Sequence, residues 1–166
     1  MSAKEIIQKL SAVQGLDVCE ADYEKTRCNV DVLATPETFR EFAKVIREAG
    51  LLIESLTAVD AVPMMVVCHF TSVYEVCRVV GRVLIDRENP VCPTISDIYP
   101  GANWHERETR DFFGVNFEGH PDMTPLILPE DQTDFHPLRK SEEKLKNLSE
   151  LIGRFAPARE EAEVSE

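Results

Sequence analysis

"LLIESLTAVDAVPMMVVCHFTSVYEVCRVVGRVLID" occupies residues 51–86 and decides the fold. It reads as three strands, 51–59, 64–70 and 75–86, dominated by Val, Ile and Met. The connections between them are short. Consecutive strands joined by short turns pair antiparallel, because a parallel return needs a crossover of a dozen or more residues.

Working outward, "TPETFREFAKVIREAG" (35–50) is the clearest helix in the chain. Thr35 caps it, Pro36 takes its first turn, and Gly50 closes it. Phe39, Phe42, Ala43 and Ile46 form its apolar stripe. Before it, "TRCNVDVLA" (26–34) alternates, with Cys28, Val30 and Val32 on one face and Arg27, Asn29 and Asp31 on the other. That pattern predicts a half-buried strand, with "LDVCEA" (16–21) as its hairpin partner. Ser2 and Glu5 predict a capping box on a first helix carrying Ile6, Ile7, Leu10 and Val13, ended by Gly15. Downstream, "ENPVCPTISDIYPG" (88–101) holds three prolines and predicts no continuous regular structure. The fold class is therefore α+β: a two-layer domain, α-β-β-α-β-β-β with a mixed sheet, then a further charged helix and an extended Pro-rich C-terminal arm. The boundaries fall at 1–113 for the globular domain, 114–157 for the arm with a last amphipathic helix, and 158–166 for a disordered acidic tail. That last helix opens at Ser141 and carries Leu145, Leu148, Ile152 and Phe155.

The chain has 166 residues and a formal net charge of -12. With no Lys/Arg-rich run, nucleic acid is excluded as a partner and anionic membrane surfaces are disfavoured. No apolar run reaches the length of a membrane span, so no direct membrane insertion is expected. Lys4 and Glu5 stand where the apolar part of a secretory leader would begin. Cys19, Cys28, Cys68, Cys77 and Cys92 include no C-x-x-C pair, which predicts buried thiols in a reducing compartment, with no metal or iron–sulfur ligation.

The chemistry concentrates in "GANWHERETRDFFG" (101–114). Asn103 is positioned to cap this helix and Gly114 to end it. The sequence is not H-E-x-x-H, since Thr109 stands where the second His would be. Glu106–Arg110 and Arg107–Asp111 have i, i+4 spacing and predict ion pairs along the helix. Carboxylates neutralised in this way make poor general acids, because nearby cations lower their pKa. Trp104, Phe112 and Phe113 flank the charges, which suits a buried or interfacial polar network. His69 reads as a satisfied core histidine, and His120 and His136, each before a proline, as turn or interface residues. A small acid/base enzyme using His105, Glu108 and Asp111 is the alternative from another class; an adaptor unrelated to electron transfer is a third. No catalytic, cofactor-binding or metal-binding residue is predicted.

"ERETRDFFGVNFEGHPDMTPLI" (106–127) resembles the signature of the 30-kilodalton subunit family of respiratory complex I. The matching residues are Glu106, Arg107, Glu108, Asp111, Phe112, Phe113 and His120, continuing to Leu126 and Ile127. Thr124 departs from the pattern, in which Lys, Arg or Pro is usual. "SLTAVD" (55–60), "PGANW" (100–104, with Trp104), "LPED" (128–131) and "HPLRK" (136–140, with His136 and Arg139) also resemble family blocks. The resemblance implies a peripheral-arm subunit with no redox centre of its own. Its expected partners are a 49-kilodalton-like, hydrogenase-related large subunit and iron–sulfur subunits whose clusters carry the electrons. It implies a place on the cytoplasmic face of the cell membrane, within an NADH or F420H2 dehydrogenase coupled to quinone or methanophenazine reduction and ion translocation. The equivalent subunit of an energy-converting nickel–iron hydrogenase is the alternative. The segment 115–140, with four prolines and many apolar side chains, is expected to be a docking arm whose backbone groups pair on the partner.

Overall fold

The sheet is built around β5 (Arg78–Ile85), which pairs antiparallel with β4 (Met64–Thr71) on one side and parallel with β2 (Val30–Ala34) on the other. In the computed structural model, which describes residues 1–131, 135–147 and 151, the five-stranded order is β1-β2-β5-β4-β3. β1 (Asp17–Glu20) and β3 (Leu52–Val59) are the two edges, each antiparallel to its neighbour. The parallel β2–β5 pair makes the sheet mixed, as the α+β reading requires.

Helices α1 (Ala3–Ser11) and α3 (Pro36–Glu48) bury Ile6, Leu10, Phe39, Phe42 and Ile46 against Val32, Val66, Phe70, Val79 and Val83. The capping box of α1 forms as expected: Ser2 Oγ accepts from Glu5 N–H, and the Glu5 carboxylate accepts from Ser2 N–H at 2.8 Å. In α3 the Thr38 hydroxyl plays the part of the usual Glu, accepting Thr35 N–H at 3.0 Å. Phe42 meets Phe70 edge-on at 5.6 Å between centroids. A glycine in the middle of β5 makes this approach possible. A Cβ at Gly81 would stand 2.4 Å from the Phe42 ring and 2.8 Å from Cys68 Sγ.

Three local expectations are corrected, and the Pro-rich segment gains one short strand. β2 begins at Val30, because residues 23–26 form a helical turn, α2 (Tyr23–Thr26), capped by Asp22 and left through Arg27 in the left-handed region. Nor is β2 half-buried. It lies inside the sheet with both faces covered, so Asp31 is buried and receives Arg82 at 2.9 and 3.3 Å. Within the Pro-rich segment, β6 (Val91–Pro93) pairs parallel with β7 (Asn116–Glu118). Pro93 is tolerated there because this sheet has two strands, and each is an edge. Finally, Ser141 opens only a 3₁₀ turn, Glu142–Lys144; Leu145 is extended, and Asn147 bridges Val62. Leu148, Ile152 and Phe155 of the expected last helix, and the 158–166 tail, lie outside the described residues.

The opposite face of the sheet carries a smaller cluster of Ala21, Cys28, Met65, Val67 and Val80, against which Leu151 packs. All five cysteines are free thiols, four of them buried. No helix of the described residues is long and apolar enough to cross a membrane.

Candidate functional site

α4 (Ala102–Phe113) lies along the edge strand β3 and closes it. Thr109 Oγ donates to Leu56 O at 3.4 Å, and Tyr99 Oη donates to Leu51 O at 3.1 Å. An edge strand otherwise offers its carbonyls to any passing chain. Ala102, fully buried, lets the helix come close. The helix begins after Gly101, so Asn103 lies inside it and does not cap it. Gly114 ends it in the left-handed region, φ 75°, as expected. A side chain there would also collide with His136, whose ring stands 2.7 Å from the position of a Cβ.

Neither predicted i, i+4 ion pair is what holds the charges. The helix turns each group toward a different loop, and the loops supply stronger partners. Glu106 is fully buried. Its carboxylate accepts from Thr94 Oγ and from Ile95 N–H at 2.8 Å, and His120 Nε2 lies 3.8 Å away. Burial pushes its pKa up to about 7; the bonds from Thr94 and Ile95 and the Arg40 charge only partly oppose this. His120 is also sealed from solvent. Its Nδ1 faces Asp122 N–H at 3.1 Å and therefore accepts, which leaves the proton on Nε2, 3.3 Å from Asn103 O. Thr94 O in turn receives Arg40 of α3, whose guanidinium also holds Asp97 at 2.7 and 2.8 Å.

Asp111 faces the arm. Its Oδ2 accepts three successive backbone N–H groups, from Leu126, Ile127 and Leu128 at 2.8, 2.7 and 3.2 Å, and Oδ1 receives Arg110 at 3.3 Å. Burial alone would raise the Asp111 pKa. The bonds from Ile127, Leu128, Leu126 and Arg110 outweigh it and hold the group below its usual value. Arg107 reaches past Asp111 to Thr124 O, Thr124 Oγ and Pro125 O at 3.0–3.2 Å, and its guanidinium lies 5.9 Å from the Trp104 ring. Thr124, the departure from the family pattern, is thus the residue whose hydroxyl takes Arg107.

The arm returns to the domain at two more points. His136 Nδ1 lies 3.0 Å from Asp111 O, and Leu138 N–H donates to Phe112 O at 3.1 Å, so the C-terminal carbonyls of α4 are covered. Asp60, buried, receives Arg87 at 2.8 and 3.3 Å and Lys140 N–H at 2.6 Å, while Arg139 donates to Arg87 O. Burial works against the charge of Asp60, but Arg87, Lys140 N–H and Arg139 keep its pKa low. The expectation that the arm's backbone pairs on a partner is therefore corrected at 126–128, 138 and 140. Those N–H groups already have acceptors in the chain's own domain. Val115 and Phe117 lie in its core.

The resemblance blocks thus converge on α4, and among the described residues Glu106, Arg107 and Asp111 are taken up by bonds within the chain. Glu106 and His120 have no access to a substrate, and Asp111 is occupied by backbone. The side chains of His105 and Glu108 join neither network among the described residues. No three His, Cys, Asp or Glu side chains of the described residues converge as metal ligands. Sequence reasoning missed Thr94, Arg40, Asp97 and Arg87. The only signal for Asp60 and Lys140 was their place in two family blocks. Outward, the same region exposes Trp104, Ile127, Phe135 and Leu138, each by half or more.

Comparison with known proteins agrees with this geometry. Residues 32–147 match the family model described as respiratory-chain NADH dehydrogenase, 30 Kd subunit. The C subunit of the NADH-quinone oxidoreductase of Roseiflexus sp. (strain RS-1) is 37% identical over 122 residues, covering 69% of this chain and 70% of that protein. The same subunit of the Jannaschia sp. (strain CCS1) oxidoreductase is 38% identical over 150 residues, covering 82% of this chain and 69% of that protein. A trypsin-resistant fragment of Nqo5 is similar in structure, with a TM-score of 0.60 and 25% identity, covering 74% of this chain and 99% of the fragment. A chain of the membrane-bound sulfane sulfur reductase, an archaeal respiratory membrane complex, shares the fold at 24% identity with a TM-score of 0.70, covering 95% of this chain and 92% of its own length. The chain belongs to the family of the 30-kilodalton subunit of the respiratory-chain NADH dehydrogenase.

Proposed function

We propose that the chain is a non-catalytic peripheral subunit of a complex-I-type membrane-bound oxidoreductase, and that it docks on the hydrogenase-like large subunit through α4 and the arm. One observation carries this reading. Three charged groups of the signature are engaged within the chain: Glu106 on Thr94 and Ile95, Asp111 on residues 126–128, Arg107 on Thr124 and Pro125. The same region leaves four large apolar side chains outward, Trp104, Ile127, Phe135 and Leu138, among exposed polar ones such as Asp122, Glu130 and Asp131. A frame that engages its central charges internally and exposes large apolar side chains within a polar rim is suited to binding a protein surface. The relatives from NADH-quinone oxidoreductases support the NADH:quinone branch. Electrons pass through iron–sulfur clusters of neighbouring subunits, and this chain carries no redox group of its own. It sits on the cytoplasmic side without entering the bilayer.

The test is affinity purification of the tagged chain from its native membranes, with the co-purifying subunits identified and the chain's own iron, zinc and visible absorption measured after separation. A hydrogenase-like large subunit and iron–sulfur subunits in stoichiometric yield support the proposal. Purification alone, or a stoichiometric metal in the isolated chain, overturns it.

A further inference from the structure

Among the described residues the two most exposed large apolar side chains, Tyr74 and Val76, lie with Val73 on the turn joining β4 to β5. Val73, Tyr74 and Val76 are 62%, 87% and 80% exposed. The turn that carries them is built by its own hydrogen bonds. Ser72 Oγ accepts Tyr74 N–H and Glu75 N–H, both at 3.3 Å; Ser72 N–H donates to Cys77 O at 2.9 Å; Cys77 N–H donates to Glu75 O at 2.8 Å. The Cys77 side chain is buried in the core and pins the turn to the domain. The backbone that carries the three apolar side chains is thus ordered before any partner arrives, which lowers the entropy lost on binding.

The charges around the turn are settled within the chain. A recess beside it is lined by Tyr23, Arg27, Glu54, Glu75 and Arg78 among others. Glu54 pairs with Arg78 at 2.7 Å, Arg27 with Glu24 at 3.6 Å, and Glu75 with the N-terminal amine at 3.3 Å. Among the described residues, no unpaired cation lines this recess to attract phosphate or an anionic lipid, and the chain's net charge of -12 opposes both. The complement of such a surface is an uncharged, apolar recess on a protein.

Position and size narrow the choice of protein. β4 separates the turn from the Asp60–Arg87–Lys140 clasp, since Met64 pairs with Ile85 at the clasp end and Thr71 with Arg78 at the turn end. Eight residues of strand are about 23 Å long. Three side chains on a turn fall well short of the roughly 800 Å² per partner of a stable pairwise interface. The turn therefore suits a secondary contact, made once the chain is already held elsewhere.

We infer that the β4–β5 turn is a second docking point, which inserts Val73, Tyr74 and Val76 into an apolar recess on another subunit of the same assembly, at a surface separate from the one that α4 and the arm contact. The chain then bridges two surfaces of the complex. This inference rests on the proposed function, and the experiment separates the two. A photo-crosslinking amino acid replaces Tyr74 in one strain and Leu138 in another. Each tagged complex is irradiated in its native membranes, and the joined peptides are identified. Crosslinks from position 74 to a protein of the complex, at peptides other than those reached from position 138, are the expected result. In parallel, Tyr74→Asp should weaken retention of the chain in the purified complex about tenfold while the isolated variant melts as the parent does. Crosslinks from 138 with none from 74 to a protein of the complex would leave the proposed function standing and overturn the bridge. Crosslinks from 74 to lipid would overturn it in favour of a membrane contact, and crosslinks to another copy of the chain in favour of self-association. Failure of the parent chain to co-purify with any complex would overturn both readings.

Discussion

The carboxylate of Asp111 holds the backbone N–H of Ile127 at 2.7 Å, with the N–H groups of Leu126 and Leu128 on the same oxygen. One side chain at the end of α4 thereby fixes the course of a segment that has no ladder of its own. Asp111→Ala removes the acceptor for three donors at once, and each donor left unsatisfied costs about 1–3 kcal/mol if water cannot reach it. Some water will enter, so we expect a total loss of about 3 kcal/mol in chemical denaturation. Amide exchange at 126–128 should accelerate while β4 and β5 stay protected. Asp111→Asn keeps one carbonyl acceptor and should lose less than half as much. Equal stability of Asp111→Ala and the parent would show that these bonds carry no weight.

Stability should fall as pH rises from about 4.5 to about 7, through Glu106. Its folded pKa is raised, so the contribution is complete below the unfolded value of 4.5 and is lost as pH climbs through the folded value of about 7. The groups facing it are His120 from the arm, Arg40 from α3, Asp97 from the loop after β6 and the Cys92 thiol from β6. The expected change is about 3 kcal/mol across that range. Asp111 and Asp60 act in the opposite sense: their folded pKa values are depressed, so their stabilisation is present above the usual carboxylate value and is lost as pH falls through the folded one. Glu106→Gln should flatten the upper slope and leave the acid limb in place. Urea melts of both proteins at about pH 4.5, 5.5, 6.5 and 7.5 provide the check, and an unchanged slope in the variant would assign the dependence to another group.

These two carboxylates also mark how far the sequence could be read. The Ser2–Glu5 capping box, the stripe of Phe39, Phe42 and Ile46, and the terminating Gly114 are local patterns, and each forms as its spacing demands. That Asp111 belongs to a buried network was also legible, from Phe112 and Phe113 beside it. Its partners were not. The nearest cation in helical spacing was Arg107, but the bonds come from residues 15 to 17 positions away, on a stretch without periodicity. Thr94 and Asp97 were hidden for the same reason. They lie among prolines and acquire roles only when α3 and α4 are brought together. Alternation around Asp31 predicts a solvent face, whereas a second apolar cluster covers that side of the sheet and the buried Asp31 is held by the partly exposed Arg82.

Gly81 should be intolerant of any side chain. A methyl group there would stand 2.4 Å from Phe42 and 2.8 Å from Cys68, inside van der Waals distance of both. Gly81→Ala forces the Phe42 ring off its position against Phe70, and overpacking of this kind costs about 1–3 kcal/mol. Pairing it with Phe42→Leu should restore part of the loss. The melting temperatures of the four proteins in this cycle give the coupling directly. Simple additivity of the two substitutions would mean that the methyl group is accommodated elsewhere.

Leu138→Asp should separate folding from assembly. Leu138 N–H is bonded to Phe112 O, while its side chain is half exposed. The substitution therefore changes the outer surface and leaves the anchoring bond in place. Surface substitutions of this kind usually shift stability by about 0.5 kcal/mol or less. The isolated variant should melt as the parent does. Its amides at 126–128, 138 and 140 should stay protected, because their acceptors Asp111, Phe112 and Asp60 are untouched. In the assembled complex a carboxylate at this position would face the partner's apolar surface without a counter-charge, and a desolvated, unpaired charge is among the costliest defects an interface can hold. We therefore expect the chain to be lost from purified complexes while remaining folded in solution. Fast exchange at 126–128 in the isolated parent would show that the arm orders only on a partner. Normal assembly of Leu138→Asp would place the docking face on another side of α4.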